Sequence, residues 1–339
     1  MTPVLTASRA DALEKALFDT VLTVITVCAP LFAMVAFGAL LKRTGALSDE
    51  AHRFVTGLVY RYSLPVLVFT GVCKTDFQSL LNPAVIVSTL GSAAVLVLLC
   101  WAGSHVLARD VRGPVITVSY LGNLSYLGFP LAMNAFGEEG LVYAGIVNAF
   151  AMPTFVVAGV LILSLGMKEK RSMWAQMKVG LLNPVVIAAF AGILTSLVVH
   201  ETALGAIVEG NEAARRLIGI ASAVLAPVAA MGLPLALIAV GGSLRFAHVR
   251  RHIVLLGVCG LLKLVAAPLL TLALCWWLFP GAERAAVGTA VLLMACPVSV
   301  ALYVISERFQ TEPAFVAAAL ATTTAASCIT IPLWVAVVL

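Results

Sequence analysis

Charged residues are scarce in this sequence. Only 11% of its 339 residues are Asp, Glu, Lys or Arg, while 62% are hydrophobic and the mean hydropathy is +1.07. Soluble domains carry about 25% charged residues, so this composition excludes a water-soluble class and indicates an integral membrane protein. A crossing needs roughly 20 residues, which leaves room for about ten spans and none for a sizeable soluble domain.

The residue patterns of most enzyme and metal sites are also missing. The seven cysteines form no C-x-x-C pair, and the five histidines form no H-E-x-x-H spacing, so neither a disulfide framework nor a metal site is predicted. There is no G-x-S-x-G motif, no Walker A loop and no pair of aspartates inside an apolar run. The net charge of +5 comes without a basic run. We therefore predict neither an enzyme nor a nucleic-acid-binding protein.

What the sequence does contain is a series of apolar stretches. An even number of spans places both termini on one side, and the first span is too long for a signal-peptide core. Thirteen of the 21 lysines and arginines lie in the odd-numbered loops, which predicts that these loops are cytoplasmic and both termini extracytoplasmic, in the cell (inner) membrane. The ten predicted spans are 21–41, 54–73, 83–108, 114–136, 140–166, 181–199, 217–244, 253–279, 285–306 and 313–339.

The two halves of the chain repeat each other. Pro65 and Pro234 lie 169 positions apart, and Pro130 and Pro297 lie 167 apart, when a short connector is taken as the divider. Five spans per half is an odd number, so the second repeat is predicted to be inverted relative to the first. The predicted fold class is an all-α integral membrane protein with ten helices in two inverted repeats of five. Its segments are 1–20 (extracytoplasmic), 21–166 (first repeat), 167–180 (cytoplasmic connector) and 181–339 (second repeat).

The fourth and ninth spans each carry a proline near the middle of the membrane. Proline interrupts a helix, and exposed backbone at that depth is tolerated only against protein or a water-filled cavity. If Pro130 and Pro297 each begin a half-helix, two positive helix ends point toward the midplane and favour an anionic solute. Alternatively, each proline merely kinks a packed helix. The candidate substrate-binding residues of the two broken spans are Asn123, Ser125, Tyr126, Gly128, Pro130, Cys296, Pro297 and Ser299.

Two basic residues, Arg61 and Lys263, fall inside predicted spans without a nearby carboxylate in the sequence. Ionisable residues at that depth are costly and usually face a cavity or a partner, so both are candidate ligands of an anionic substrate. Alternatively, Arg61 extends toward the cytoplasmic headgroups, since it lies only eight positions from Arg53. For Lys263, deeper in its span, both readings stay open.

The sequence resembles the auxin efflux carrier family, and in particular its bacterial branch of malonate and organic-anion transporters. The resemblance rests on S-L-P-V-L-V-F at 63–69, Asn123 with Gly128-x-Pro130, Phe136-Gly137-Glu138, Leu182-Asn183-Pro184 and Cys296-Pro297. It implies a relation to the bile acid/sodium symporter-like superfamily and a crossing of spans 4 and 9 at their prolines. It also implies a division into scaffold and transport parts, and a homodimer.

These observations predict a secondary transporter of a small organic anion, a carboxylate such as malonate or another dicarboxylate, that works by alternating access at the crossing. The expected partners are this solute, the lipid bilayer and a second copy of the chain. No cofactor is expected, and coupling to H⁺ or Na⁺ stays open because no acidic residue lies at mid-span. The alternative is a membrane solute receptor or sensor subunit that acts through a partner protein.

Overall fold

The computed structural model describes residues 3–73, 82–164, 182, 184–201, 210–245, 249–309 and 311–339. These residues form α-helices and connecting turns without any β-strand, and the predicted connector 167–180 lies outside them. The helices are α1 Pro3–Arg43, α2 Asp49–Leu58, α3 Leu64–Val72, α4 Pro83–Gly103, α5 Arg109–Tyr120, α6 Gly128–Ser164, α7 Pro184–Glu201, α8 Glu212–Gly242, α9 Ile253–Leu261, α10 Ala267–Leu278, α11 Arg284–Ala295, α12 Val300–Phe309 and α13 Pro313–Val338.

Several of these helices are long and apolar enough to cross a membrane. Within the described residues there are six of them, and α7 and α11 contribute two shorter apolar helices. The all-helical membrane class predicted from composition is thereby confirmed. The six segments are Val21–Arg43, Pro83–Val106, Gly128–Leu163, Glu212–Gly242, Val249–Leu278 and Pro313–Val338.

Polar residues set the beginnings of several helices. The Ser48 hydroxyl accepts a hydrogen bond from the Ala51 N–H before α2, and the Asn82 side-chain oxygen accepts one from the Ala84 N–H before α4. The Asn211 side chain does the same for two N–H groups at the start of α8. The first N–H groups of a helix have no partner within it, so these side chains satisfy them where the chain leaves a loop.

Two single π-helical turns interrupt otherwise continuous helices. One, Val59–Ser63, joins α2 to α3 and contains Arg61; the other, Leu262–Ala266, joins α9 to α10 and contains Lys263. A π turn inserts an extra residue into the helix and often lies at a functional site. Both basic residues that the sequence places inside spans therefore lie on such turns.

The helix α6 is kinked at a glycine. Gly137 has φ 64° and ψ −147°, a conformation that side chains disfavour, and it separates a short first part of α6 from the long second part. This is the position at which the predicted fourth span ends. The first part, residues 128–136, follows a non-helical segment after Tyr120, the last residue of α5.

The sequence predicted that Pro130 and Pro297 each begin a half-helix, but neither proline occupies that first position. α6 begins at Gly128, so Pro130 is its third residue, where the missing N–H has no helical partner to lose. α12 begins at Val300, three residues after Pro297. There the Ser299 hydroxyl accepts a hydrogen bond from the Ala301 N–H, and this cap starts the helix instead of the proline.

The helices pack into two groups. The first group consists of α1, α2, α3, α7 and α8, in which α1 packs along α8, and α3 packs on α7 and α8. The second group contains α4, α5, α6 and α9 to α13, with α11 at its centre against α4, α6, α10 and α13. The groups meet where α6 contacts α3 and α7, and where α1 contacts α13.

A charged cluster joins three segments of the first group at one end. Asp49 is the first residue of α2, and its Oδ1 accepts a hydrogen bond at 2.6 Å from Lys42 Nζ at the end of α1. The same oxygen lies 3.5 Å from a guanidinium nitrogen of Arg245, which follows α8. The Lys42 ammonium lowers the pKa of the Asp49 carboxyl below its ordinary value. The cluster is exposed, so it orients these helix ends more than it stabilises them.

Candidate functional site

The two broken spans cross each other backbone to backbone. The Asn123 N–H donates to the Pro297 carbonyl at 2.8 Å, and the Ser299 N–H donates to the Leu121 carbonyl at 3.1 Å. Gly122 and Val298 thus form an isolated antiparallel bridge. We call this place, residues 121–127 with 296–299, the crossing. Each break supplies the hydrogen-bond partners that the other lost when its helix ended.

The crossing lies inside the second helix group. Residues 113–132 are buried without interruption, and so are residues 288–300. Other apolar helices, such as α4, alternate buried and exposed positions, as expected of helices with one face toward lipid. Non-helical backbone within a membrane protein has to be enclosed by protein or line a cavity, and here protein encloses it.

Glycines make the close approach at the crossing possible. A Cβ added to Gly122 would lie 2.8 Å from Lys263 Nζ, and a Cβ added to Gly128 would lie 2.5 Å from Leu293 Cδ2. Neither distance is compatible with a side chain unless its neighbour moves. The Lys263 and Leu293 side chains therefore fill the space that a side chain at Gly122 or Gly128 would need.

Asn123 has a side-chain donor without a partner. Its Oδ1 accepts a hydrogen bond from the Tyr126 N–H at 3.2 Å, but Nδ2 has no hydrogen-bond partner among the described residues, although only 1% of Asn123 is exposed. A buried donor left unpaired costs about 1–3 kcal/mol, which a bound acceptor such as a carboxylate oxygen would recover. Asn123 is the predicted site residue whose geometry most directly calls for a ligand.

Ser125 faces a residue that the sequence analysis missed. Its hydroxyl donates to Asn148 Oδ1 at 2.8 Å, and Asn148 Nδ2 donates to the Ala144 carbonyl at 2.9 Å. Asn148 is fully buried in the second part of α6 and also lies 3.5 Å from the Leu124 carbonyl. Asn148 therefore holds Ser125 and Leu124 of the first break in position. The signal that identifies it is an amide inside the apolar run 140–166.

The second break has a similar support. The Val298 N–H donates to Thr323 Oγ1 on α13 at 3.2 Å, and that hydroxyl donates in turn to the Ala319 carbonyl at 2.7 Å. Ser299 caps α12, as described above, and Cys296 Sγ lies 3.4 Å from the Leu292 carbonyl. Thr323 was not among the predicted site residues, because a threonine in a run of small residues has no distinguishing pattern.

Tyr126 connects the crossing to the first helix group. Its hydroxyl donates to the Thr56 carbonyl of α2 at 3.2 Å. A second bond of this kind runs from Asn134 Nδ2 in α6 to the Val27 carbonyl of α1, also at 3.2 Å. Both bonds span the boundary between the helix groups, and both come from the broken fourth span.

The two basic candidates have different surroundings. Lys263 is fully buried, and its Nζ donates to the Met294 carbonyl near the end of α11 at 2.7 Å, beside Gly122. Arg61 is exposed on its π turn. The structure thus brings together at the crossing all the predicted residues of the two breaks and Lys263, with Pro130 buried just behind them, while Arg61 lies on the surface of α2–α3.

Apolar helices around an enclosed crossing of broken segments define a multi-pass membrane protein. The family model for "Membrane transport protein" matches residues 23–335, so the chain belongs to this family, that of the auxin efflux carriers. The resemblance stated from the motifs is confirmed. The names of the family and of its relatives indicate a transporter.

Three relatives are similar to this chain. An "Uncharacterized transporter" of Methanothermobacter thermautotrophicus is 23% identical over 93% of this chain and 96% of its own length. A "Putative malonate transporter" of Rhizobium meliloti is 26% identical over 83% of this chain and 85% of its own length. An uncharacterized transporter of Methanocaldococcus jannaschii is 32% identical over 33% of this chain and 38% of its own length.

Proposed function

We propose that this protein is a secondary transporter of a small organic anion, and that the anion binds at the crossing. The observation that carries the proposal is the unpartnered Nδ2 of buried Asn123 beside the two helix beginnings. A carboxylate oxygen would supply the acceptor that this donor lacks. The name of the Rhizobium relative supports malonate or another dicarboxylate as the substrate.

The electrostatic surroundings of Asn123 favour a negative charge. α6 begins at Gly128 and α12 at Val300, each directly after its break, so both present N-terminal ends to the crossing. Such an end acts as about +0.5 elementary charge and offers free N–H groups to an anion. Lys263 is buried at the crossing with its ammonium on the Met294 carbonyl, and Arg61 is proposed as a basic contact during substrate entry.

The proposed architecture is ten membrane spans in two inverted repeats of five. In the first repeat these are α1, α2–α3, α4, α5 with the first part of α6, and the second part of α6. In the second repeat they are α7, α8, α9–α10, α11–α12 and α13. The distribution of basic residues supports extracytoplasmic termini in the inner membrane.

Alternating access would proceed by movement between the two helix groups. The crossing is buried, so a solute reaches it only if the second group, as the transport part, shifts relative to the first group, as the scaffold. The Tyr126 and Asn134 bonds would have to break in that movement. The uptake experiment below also tests whether transport is coupled to H⁺ or Na⁺.

A homodimer through the first group is also proposed. The N-terminal half of α8 is exposed on all sides, with Leu217, Ile218, Ile220 and Val224 among its large exposed apolar residues. Lipid covers one face of a helix in a bundle, whereas exposure on successive faces leaves room for a protein neighbour. A second copy of the chain is the occupant that the resemblance implies.

The test is uptake by purified protein in proteoliposomes. Malonate, succinate and acetate are offered separately, with sodium, proton and voltage gradients imposed one at a time. We expect saturable uptake of at least one carboxylate, and loss of that uptake in Asn123→Ala. Asn211→Ala, which changes an exposed capping amide outside the crossing, is the matched control and should keep the wild-type KM.

Two outcomes would contradict the proposal. Wild-type uptake kinetics in a folded Asn123→Ala protein would remove the crossing as the binding site. Binding of a carboxylate without any counterflow of labelled solute would favour the receptor alternative, in which a partner protein reads the bound state.

A further inference from the structure

The crossing contains two helix C-terminal ends as well as two N-terminal ends. α5 ends at Tyr120 and α11 ends at Ala295, each directly before its break. A C-terminal end acts as about −0.5 elementary charge, and its last carbonyls have no partner within the helix. Both ends are buried, so their partial charges lack solvent and call for a positive partner inside the protein.

The Lys263 ammonium is placed between these two ends. It donates to the Met294 carbonyl, in the last turn of α11, at 2.7 Å. It also lies against Gly122, two residues after the end of α5, so closely that a methyl group there would be 2.8 Å from Nζ. The π turn that carries Lys263 is itself held by the Trp334 indole, which donates to the Leu264 carbonyl at 2.8 Å.

Among the described residues, no carboxylate forms an ion pair with this charge. The ion pairs among the described residues are Lys42 with Asp49, Arg245 with Asp49, and Arg216 with Glu212, all with exposed carboxylates. A buried charge without compensation costs several kcal/mol. The two C-terminal ends, of about −0.5 each, lie next to the Lys263 ammonium and compensate its charge, while the two N-terminal ends of the same crossing are left to face an anion.

We propose that Lys263 is a fixed internal cation of the crossing, in the position where a bound monovalent cation would otherwise have to lie. It is a positioning residue that holds the two breaks together, and the substrate is bound by other groups. Two consequences follow. The wild-type crossing binds no sodium, and removal of the lysine side chain creates a binding site for a small monovalent cation.

The inference deepens the proposed function in one respect, since it removes sodium from the crossing as the coupling ion. Its geometry does not depend on the identity of the solute. The test therefore measures the thermal stability of the protein in different cations and without substrate. Its result can be interpreted even if no carboxylate transport is found.

The experiment measures thermal unfolding of the purified protein in sodium chloride, methylammonium chloride and N-methylglucamine chloride at equal ionic strength. Lys263→Ala leaves a space the size of the lost side chain, while Lys263→Met fills that space with an uncharged chain of similar length. We expect the same wild-type midpoint in all three salts. Lys263→Ala should unfold several degrees lower in N-methylglucamine and recover saturably with sodium or methylammonium, whereas Lys263→Met should stay low in all three.

Several results would overturn the inference. One is a Lys263→Ala midpoint that does not depend on the cation, and another is wild-type protein that sodium stabilises saturably. If Lys263→Ala fails to fold, Lys263→Gln replaces it, because its amide retains one hydrogen bond without the charge. A wild-type midpoint for Lys263→Gln would show that the charge is not needed; a midpoint lowered by several degrees supports the inference.

Discussion

The Asn123 N–H donates to the Pro297 carbonyl at 2.8 Å, which ties together two residues 174 positions apart in the chain. Proline has no N–H to donate, but its carbonyl is a full acceptor, and this bond uses it. With the main chain of Asn123 engaged in this way, only its side chain is left to interact with a solute. The same bond explains how a helix interruption is tolerated inside an apolar protein.

Asn148 is expected to be required for the shape of the first break. Asn148→Ala leaves the Ser125 hydroxyl without its acceptor, so the free energy of unfolding should fall by about 1–3 kcal/mol. Substrate uptake should fall with it. Ser125→Ala combined with Asn148→Ala should cost less than the sum of the single changes, because both remove the same bond.

The measurement is a double-mutant cycle by chemical denaturation together with uptake. Ser222→Ala serves as the control, since Ser222 is an exposed serine of α8 that bonds only within its own helix. Additive effects of Ser125→Ala and Asn148→Ala would contradict the role of Asn148 in supporting Ser125.

Gly122→Ala is expected to abolish uptake in a protein that still inserts and folds. The added methyl would lie 2.8 Å from Lys263 Nζ and 3.3 Å from the Cys296 carbonyl, so the two breaks must separate or the lysine must move. Gly260→Ala, at a glycine of α9 with open space around it, is the matched control and should keep wild-type uptake. Equal uptake by both variants would show that the close approach is unimportant.

Tyr126→Phe is expected to loosen the contact between the two helix groups. It removes the bond to the Thr56 carbonyl, and one hydrogen bond of about 1 kcal/mol corresponds to a roughly fivefold shift in a conformational equilibrium. The readout is alkylation of buried Cys296 by a membrane-permeant maleimide, followed by peptide mass spectrometry. The labelling rate should rise by about that factor if opening exposes the crossing.

Tyr120→Phe is the control for this change. Its hydroxyl also donates to a backbone carbonyl, that of Phe155 at 3.0 Å, but both residues belong to the second helix group. It should lower stability without faster labelling of Cys296. The same increase in both tyrosine variants would indicate general loosening instead of a boundary contact.

Gly241→Ala is expected to destabilise the first helix group. A Cβ at Gly241 would lie 2.0 Å from the Val35 carbonyl of α1, and overpacking of this kind costs about 1–3 kcal/mol. Gly219→Ala, in the same helix but with nothing nearby, should be neutral or stabilising by up to about 1 kcal/mol. Thermal unfolding of both variants tests this, and a Gly241→Ala midpoint at or above that of Gly219→Ala would contradict the packing.

The sequence by itself determined the class of the protein and the places where its helices are interrupted. Hydropathy and charge are local properties, and so is the inability of proline to continue a helix. Composition therefore established a multi-span membrane protein, and the motifs around Asn123 and Cys296-Pro297 established the family. The inverted repeat and the substrate stay predictions.

The tertiary structure decided what these residues contact. It placed Asn148 behind Ser125 and Thr323 behind Val298, brought Lys263 to the Met294 carbonyl, and left Arg61 on the surface. It also placed the helix beginnings at Gly128 and Val300 instead of at the two prolines, with the Ser299 hydroxyl as the cap of α12. Hydrogen-bond partners far apart in the chain are selected by packing, which no local pattern contains.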